Sequence, residues 1–202
     1  MAKDPLQTED FQRCAEFHGH ICPGLSIGYL AARAGLERLH SLRASDEELV
    51  AEVETDACGV DAVQVLTGCT FGKGNLIFKD RGKQAFTFFH RGTGRGIRAA
   101  MRAGAFAPDS RQTELLEKMR LGTATAEEAR EFWELQQKKS REILEMPFED
   151  LFSLEWISRF LPEKAKIEGS EQCSKCGEPT MASKLRLIDG GKYCGDCAEH
   201  RD

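Results

Sequence analysis

Eight cysteines and five histidines carry most of the chemical potential of this 202-residue chain, and they fall into two sets. The first set closes the sequence. Cys173-Ser174-Lys175-Cys176 and Cys194-Gly195-Asp196-Cys197 are two C-x2-C pairs separated by seventeen residues, a spacing that suits a tetrahedral zinc site. Each pair turns sharply enough to aim two thiolates at one ion, and a hairpin over Leu185–Ile188 and Lys192–Cys194 returns the second pair to the first. Four thiolates leave no open coordination position, so the expected zinc is structural. A module this small has almost no core, and metal binding worth about 10–16 kcal/mol supplies the folding free energy instead. Two disulfides or a redox dithiol are the competing assignment. The first ten residues have no hydrophobic run after Lys3 and no stretch is long and apolar enough to span a bilayer, so a reducing, cytoplasmic setting is expected, which favours metal.

The second set opens the sequence. Phe17-His18-Gly19-His20-Ile21-Cys22-Pro23-Gly24 places three ligand-type side chains within five residues, directly before a helix. Cys22 precedes Pro23, so its sulfur lies at the positive end of that helix, where a thiol pKa falls. Asp56-Ala57-Cys58-Gly59 repeats the strand–cysteine–helix arrangement, and Thr67-Gly68-Cys69 leads into a glycine-rich loop. His18, His20, Cys22, Cys58 and Cys69 therefore form a candidate cleft for a metal ion or a redox thiol step. The histidines would ligate or relay protons, and Cys22 with Cys58 or Cys69 would supply thiolates. The plainer alternative, cysteine as a small buried hydrophobe, is preferred for Cys14. His40 and His200 read as an exposed turn and a frayed end, and His90 as core or rim.

Several elements must position these residues. Helices are expected over about Gln7–Phe17, Gly24–Leu39 with Pro23 at the first helical position, and Gly59–Leu66. Ser45-Asp46-Glu47-Glu48 reads as a capping box opening a short helix, and Val53–Thr55 as a buried strand. Asn75–Lys79 and Lys83–His90 alternate as strands do, with Asp80-Arg81-Gly82 as the turn between them. A helix over Gln112–Leu121 stops at Gly122. Thr125-Ala126-Glu127-Glu128 caps a long helix whose stripe includes Phe132, Trp133, Gln136, Ser140 and Ile143, closed by Pro147. A short apolar helix spans about Asp150–Phe160. Mixed helices and strands without strict alternation predict an α+β core over residues 1–161, a polar linker over 162–172, and a small four-cysteine module, zinc-ribbon or treble-clef-like, over 173–202.

An apolar share of 41% and a net charge of −5 exclude a disordered or collagen-like chain. Residues 162–202 carry seven basic against eight acidic side chains. Phosphate contacts dominate nucleic-acid affinity, so protein–protein contact is expected of the module rather than nucleic-acid binding. Lys73–Arg102 is different, holding eight basic residues against Asp80 alone. Its glycine-interleaved loop lacks both phosphate-loop patterns, and the acidic excess of residues 114–155 is the expected counterweight, within the chain or across a dimer.

The motifs Phe17-His18-Gly19-His20-Ile21-Cys22-Pro23-Gly24-Leu25, Cys58-Gly59-Val60-Asp61-Ala62 and Thr67-Gly68-Cys69-Thr70-Phe71-Gly72-Lys73-Gly74-Asn75-Leu76 resemble the FmdE family, proteins related to the FmdE component of tungsten/molybdenum formylmethanofuran dehydrogenase. The paired C-x2-C resembles the zinc-finger extension that some members carry. The resemblance implies an α+β core, an intertwined homodimer, and a cleft of His18, His20, Cys22, Cys58 and Cys69 with Asp56 and Asp61 nearby, where a second metal ion would sit. It also implies an accessory role beside the larger chain of a molybdenum or tungsten oxidoreductase. The alternative is a non-enzymatic zinc-finger regulator or metal sensor acting through protein contacts.

Overall fold

The computed structural model describes residues 4–41, 43–107, 109–158, 164 and 167–200. It divides into two units, Met1–Lys164 and Ala165–Asp202, and each is described by itself.

The first unit opens with a 3-10 turn at Pro5–Gln7, then helices α1 (Glu9–His18) and α2 (Pro23–Arg38). Strand β1 (Leu49–Val53) leads through α3 (Gly59–Thr67) to β2 (Leu76–Phe78), β3 (Ala85–His90) and β4 (Arg95–Met101). Helices α4 (Ser110–Leu121) and α5 (Ala126–Glu145) follow, then a single turn α6 (Phe148–Leu151) and β5 (Phe152–Ser158). The strands form one mixed sheet in the order β2-β1-β3-β4-β5, with β1 parallel to β2 and every other pair antiparallel. The unit is therefore α+β, mixing helices and strands without strict alternation, as the sequence pattern predicts.

Helix α2 is the centre of the core. Leu25, Ser26, Ala31 and Ala32 are fully buried, and small residues let its backbone approach its neighbours. A Cβ on Gly28 would lie 2.0 Å from the Gly59 carbonyl oxygen, so α2 and α3 cross in direct backbone contact. A Cβ on Gly35 would lie 2.3 Å from the Phe88 ring, which seats α2 on the sheet. Phe86 and Phe88 share the face of β3 that joins this core, as the strand alternation predicts. The capping box at Thr125 is complete, with Glu128 N–H donating to Thr125 Oγ1 at 3.2 Å and Thr125 N–H to Glu128 Oε2 at 2.9 Å.

Four local expectations change. Asp80–Gly82 does not close a hairpin, because β1 lies between β2 and β3. Lys79 N–H donates to Val53 O and Lys83 N–H to Glu54 O, so the turn carries the chain past the end of β1 to its other edge. Ser45–Glu48 opens no helix. Glu48 accepts from Ser45 Oγ and Asp46 N–H, both at 2.9 Å, and the bend feeds directly into β1, which is buried along its whole length. The apolar segment after Asp150 is a strand rather than a helix, since residues 152–158 pair with all of β4; residues 159–160 lie outside the described residues. Ser170–Gln172, within the segment expected to be linker, is a strand paired with Pro179–Met181.

The basic island is also compensated differently. Among the described residues its ion pairs are with acids of β1 and its flanks rather than of α4 and α5, while Glu155 of β5, from the acidic stretch, faces Arg98 across the sheet. Lys79 meets Glu52 at 3.0 Å, Arg98 and Arg81 meet Glu54 at 2.8 and 3.4 Å, and Arg91 meets Glu47 at 3.4 Å. The acids of α4 and α5 instead hold Arg111 and Lys118 within their own helix pair. No helix among the described residues is long and apolar enough to cross a membrane.

Two outcomes follow from these contacts. Gly28→Ala forces α2 and α3 apart and should cost about 3 kcal/mol or more in urea unfolding. Glu54 is almost fully buried, and its hydrogen bond from Arg98 holds its carboxyl below the usual range against the opposing effect of burial. The pair therefore stabilises the fold above the ordinary glutamate pKa of about 4.3, and that contribution fades as pH falls through the lowered value. Glu54→Gln should lose about 2 kcal/mol at neutral pH, and its unfolding midpoint should converge with the parent in acid.

Candidate metal centres

The core centre begins where α1 stops. Gly19 caps α1 in the left-handed region (φ 91°), which reverses the chain and brings His20 back beside His18, ring centroids 4.4 Å apart. Cys22 is the extended N-cap of α2, and its sulfur accepts the Leu25 N–H at 3.4 Å. One ligand atom each from His18, His20 and Cys22 lie within 4.8 Å of one another. His18 Nε2 stands 3.8 Å from Cys22 Sγ, while its Nδ1 contacts Asp61 Oδ2 at 2.7 Å. With Nδ1–H donated to that carboxylate, Nε2 presents its lone pair toward the cysteine. A histidine held by a carboxylate in this way is the usual outer support of a metal ligand.

Helix α3 supplies the rest. Because Gly28 and Gly59 allow close crossing, Cys58 at the N-terminal end of α3 comes alongside Cys22. A Cβ on Gly24 would be 3.7 Å from the Cys58 sulfur and 3.9 Å from the Cys22 sulfur. The neighbouring Cys22 pulls the Cys58 thiol down to about 5, with the nearby His18 assisting against the opposing effect of burial. Cys58, and then burial, push Cys22 up. Trp133 of α5 packs edge-on against His20 at 5.6 Å.

The candidate residues thus separate. His18, His20 and Cys22 converge, Cys58 adjoins them, and Asp61 orients His18. Cys69 does not join them: it is fully buried, with its thiol against Thr67 and the Ala51 backbone, and burial raises its pKa. Asp56 is exposed and outside the group. Cys14 is a core side chain whose thiol burial pushes up to about 12. Sequence reasoning misses Trp133 as a site residue, because its helical stripe gives no hint of which element it meets.

The second unit has a hairpin of β6 (Ser170–Gln172) and β7 (Pro179–Met181), a hairpin of β8 (Arg186–Ile188) and β9 (Gly191–Tyr193), and a helical turn α7 (Gly195–Glu199). Cys173 and Cys176 occupy the first turn, Cys194 caps α7 and Cys197 lies within it. The cysteine spacing does not foretell the first hairpin, whereas β8 and β9 fall where the spacing requires one. All four sulfurs lie within 4.8 Å of one another, with Cys176 and Cys194 at 4.0 Å. A Zn–S tetrahedron has edges of about 3.8 Å, so the cradle fits zinc. Backbone N–H groups of Cys176 and Cys194 lower the Cys173 thiol to about 6, which favours the thiolate a metal requires. This is a structural zinc site.

The contrast between thiols is measurable. In metal-free protein near pH 6.5, iodoacetamide should alkylate Cys58 at least about tenfold faster than Cys14 or Cys69, as read by peptide mass spectrometry.

Comparison with known proteins agrees with this division. Residues 17–153 match the family described as FmdE, molybdenum formylmethanofuran dehydrogenase operon, and residues 166–201 match the prokaryotic dksA/traR C4-type zinc finger. A probable S-adenosyl-L-methionine-binding protein of Archaeoglobus fulgidus is 34% identical over 196 residues, covering 92% of this chain and 51% of that protein. The chain therefore spans about half the length of this curated relative. The crystal structure of an FmdE-like protein from Syntrophus aciditrophicus, named for tungsten formylmethanofuran dehydrogenase, has the same fold. It is 24% identical, with a TM-score of 0.60 and coverage of 98% of this chain and 96% of that one. With its core matched across the helices and strands that build the His18 and Cys22 centre, and a C4 zinc finger behind it, the chain belongs to the FmdE family.

Proposed function

We propose that the core cleft binds a metal ion through His18, His20 and Cys22, and that the protein serves as a metal-binding accessory component of a tungsten or molybdenum oxidoreductase system. The observation that carries the metal reading is the His18 imidazole, with one nitrogen held by Asp61 at 2.7 Å and the other 3.8 Å from the Cys22 sulfur. Two ligands of one tetrahedral zinc ion, a nitrogen and a sulfur, stand about 3.6 Å apart. A donor set of two imidazoles and a thiolate suits zinc and its divalent neighbours. Cys58, next to Cys22, would close the coordination as a fourth ligand or stay beside an open position. An ion held with an open position would act as a Lewis acid toward whatever enters there. The chain's own contribution is to fix His18 through Asp61, to wall the cleft with Trp133, and to keep a thiolate available at Cys58.

The oxidoreductase setting is supported by what the matched family and the solved relative are named for. The homodimer follows the same analogy, and the outer edge of β5, with Trp156 half exposed beneath Arg95, offers a strand edge for it that has no partner among the described residues. A non-enzymatic metal sensor acting through protein contacts is the second reading. It is favoured by the zinc unit, which leaves Leu187 and Met181 exposed.

Elemental analysis tests the central claim. The parent protein should carry two metals per chain, Cys22→Ser should lose one and keep zinc, and Cys173→Ser should lose the other. A single metal that Cys22→Ser leaves in place would refute the core centre. Sedimentation of the same samples should give twice the chain mass.

A further inference from the structure

An open groove runs between α1 and α3, apart from the atoms assigned to metal. Its main hollow, about 430 Å³, is bounded by Arg13 and Phe17 of α1, Arg43, and Gln64 and Val65 of α3. A second hollow of about 270 Å³ shares Arg13, Arg43 and Val65 with it and adds Arg33. Ligand pockets for small molecules have this size and this mixture of apolar wall with a few polar groups.

The charges in the groove are unbalanced. Arg13 lies 3.7 Å from Asp10, one turn back on the same helix, with both side chains at least half exposed. Arg43 donates its Nε–H to the Val65 carbonyl at 3.0 Å, and Arg33 lies over the Tyr29 ring at 5.6 Å. Among the described residues neither Arg33 nor Arg43 meets a carboxylate, and Glu16 is the remaining acid in the main hollow. Guanidinium groups with donors to spare match a phosphate with two parallel hydrogen bonds. Phe17 stands on the lip with 60% of its surface in water. An aromatic ring left so exposed beside a guanidinium that meets no carboxylate is suited to stacking on a flat ligand.

We propose that this groove binds a small aromatic phosphate of mononucleotide size, with its ring against Phe17 and Val65 and its phosphate between Arg13 and Arg43. The site stands whether or not the core cleft holds metal. It does touch that cleft through one path: Gln64 Nε2 donates to Asp61 Oδ1 at 3.4 Å, and the other Asp61 oxygen holds His18.

The test is calorimetric titration of AMP into the full chain in magnesium-free buffer. AMP should bind at about one per chain, with adenosine and inorganic phosphate each at least about tenfold weaker. Arg13→Gln and Arg43→Gln, both at the surface, should each weaken AMP by a similar factor. Phe17→Ala should weaken AMP and adenosine while leaving phosphate unchanged, and Cys22→Ser should leave AMP binding intact. No binding of AMP up to about 5 mM, or binding indifferent to both arginine variants, would overturn the proposal. So would binding abolished by Cys22→Ser, since the nucleotide would then sit on the core cysteine and histidines.

Discussion

The contact between α2 and α3 at Gly28 and Gly59 is the constraint on which the core depends. Two helices whose backbones touch leave no room for a side chain at the crossing. In return, the N-terminal ends of both helices are brought together. Cys22 caps one and Cys58 the other, and Asp61, one turn further along α3, comes within 2.7 Å of His18 at the end of α1. A larger crossing distance would leave the histidine without its carboxylate and the two thiols without each other. The geometry of the cleft is thus set by a steric fact of the backbone, at Gly59 directly after Cys58. Helix ends hold His18, Cys22 and Cys58, and the turn after Gly19 holds His20 between them.

The legible parts of this protein are those whose physics is local. His18, His20 and Cys22 lie within one chain reversal, and each C-x2-C pair within one turn, so spacing alone announces them. Capping at Thr125 and the stop at Gly122 are equally local, and both stand in the structure. What spacing cannot convey is which elements meet. Cys69 has the same sequence neighbourhood as a ligand, glycine-rich and at a helix end, yet it turns toward β1 and is buried there. Trp133 belongs to a stripe that could have faced any partner. The segment after Asp150 holds enough apolar residues for a helix, and only the availability of β4 as a partner makes it a strand. Tertiary pairing decides short apolar runs of this kind.

The sheet order explains why the charge pattern misleads in the same way. An excess of positive charge over thirty residues looks like a binding surface or a match for a distant acidic stretch. In the fold, β2 and β3 flank β1 with β4 next to β3, and the glutamates at and around β1 pair with Lys79, Arg81, Arg91 and Arg98. Glu54, almost wholly out of water, could not stay ionised there without its two arginines. The two units also rest on different physics: the first on an apolar core around α2, the second on four sulfurs around one ion.

The central place of β1 carries a consequence for biosynthesis. Both strands that flank it, β2 and β3, are encoded after it, and the second of them is complete only at His90. Both edges of β1 stay bare until β2 is complete at Phe78, and one stays bare until His90 has left the ribosome, the condition under which nascent chains join one another by strand addition. Early shelter would have to come from α1 and α2, which emerge first and form from local contacts. The order of elements along the gene thus puts the helices in the position of a guard for a strand whose permanent neighbours arrive late.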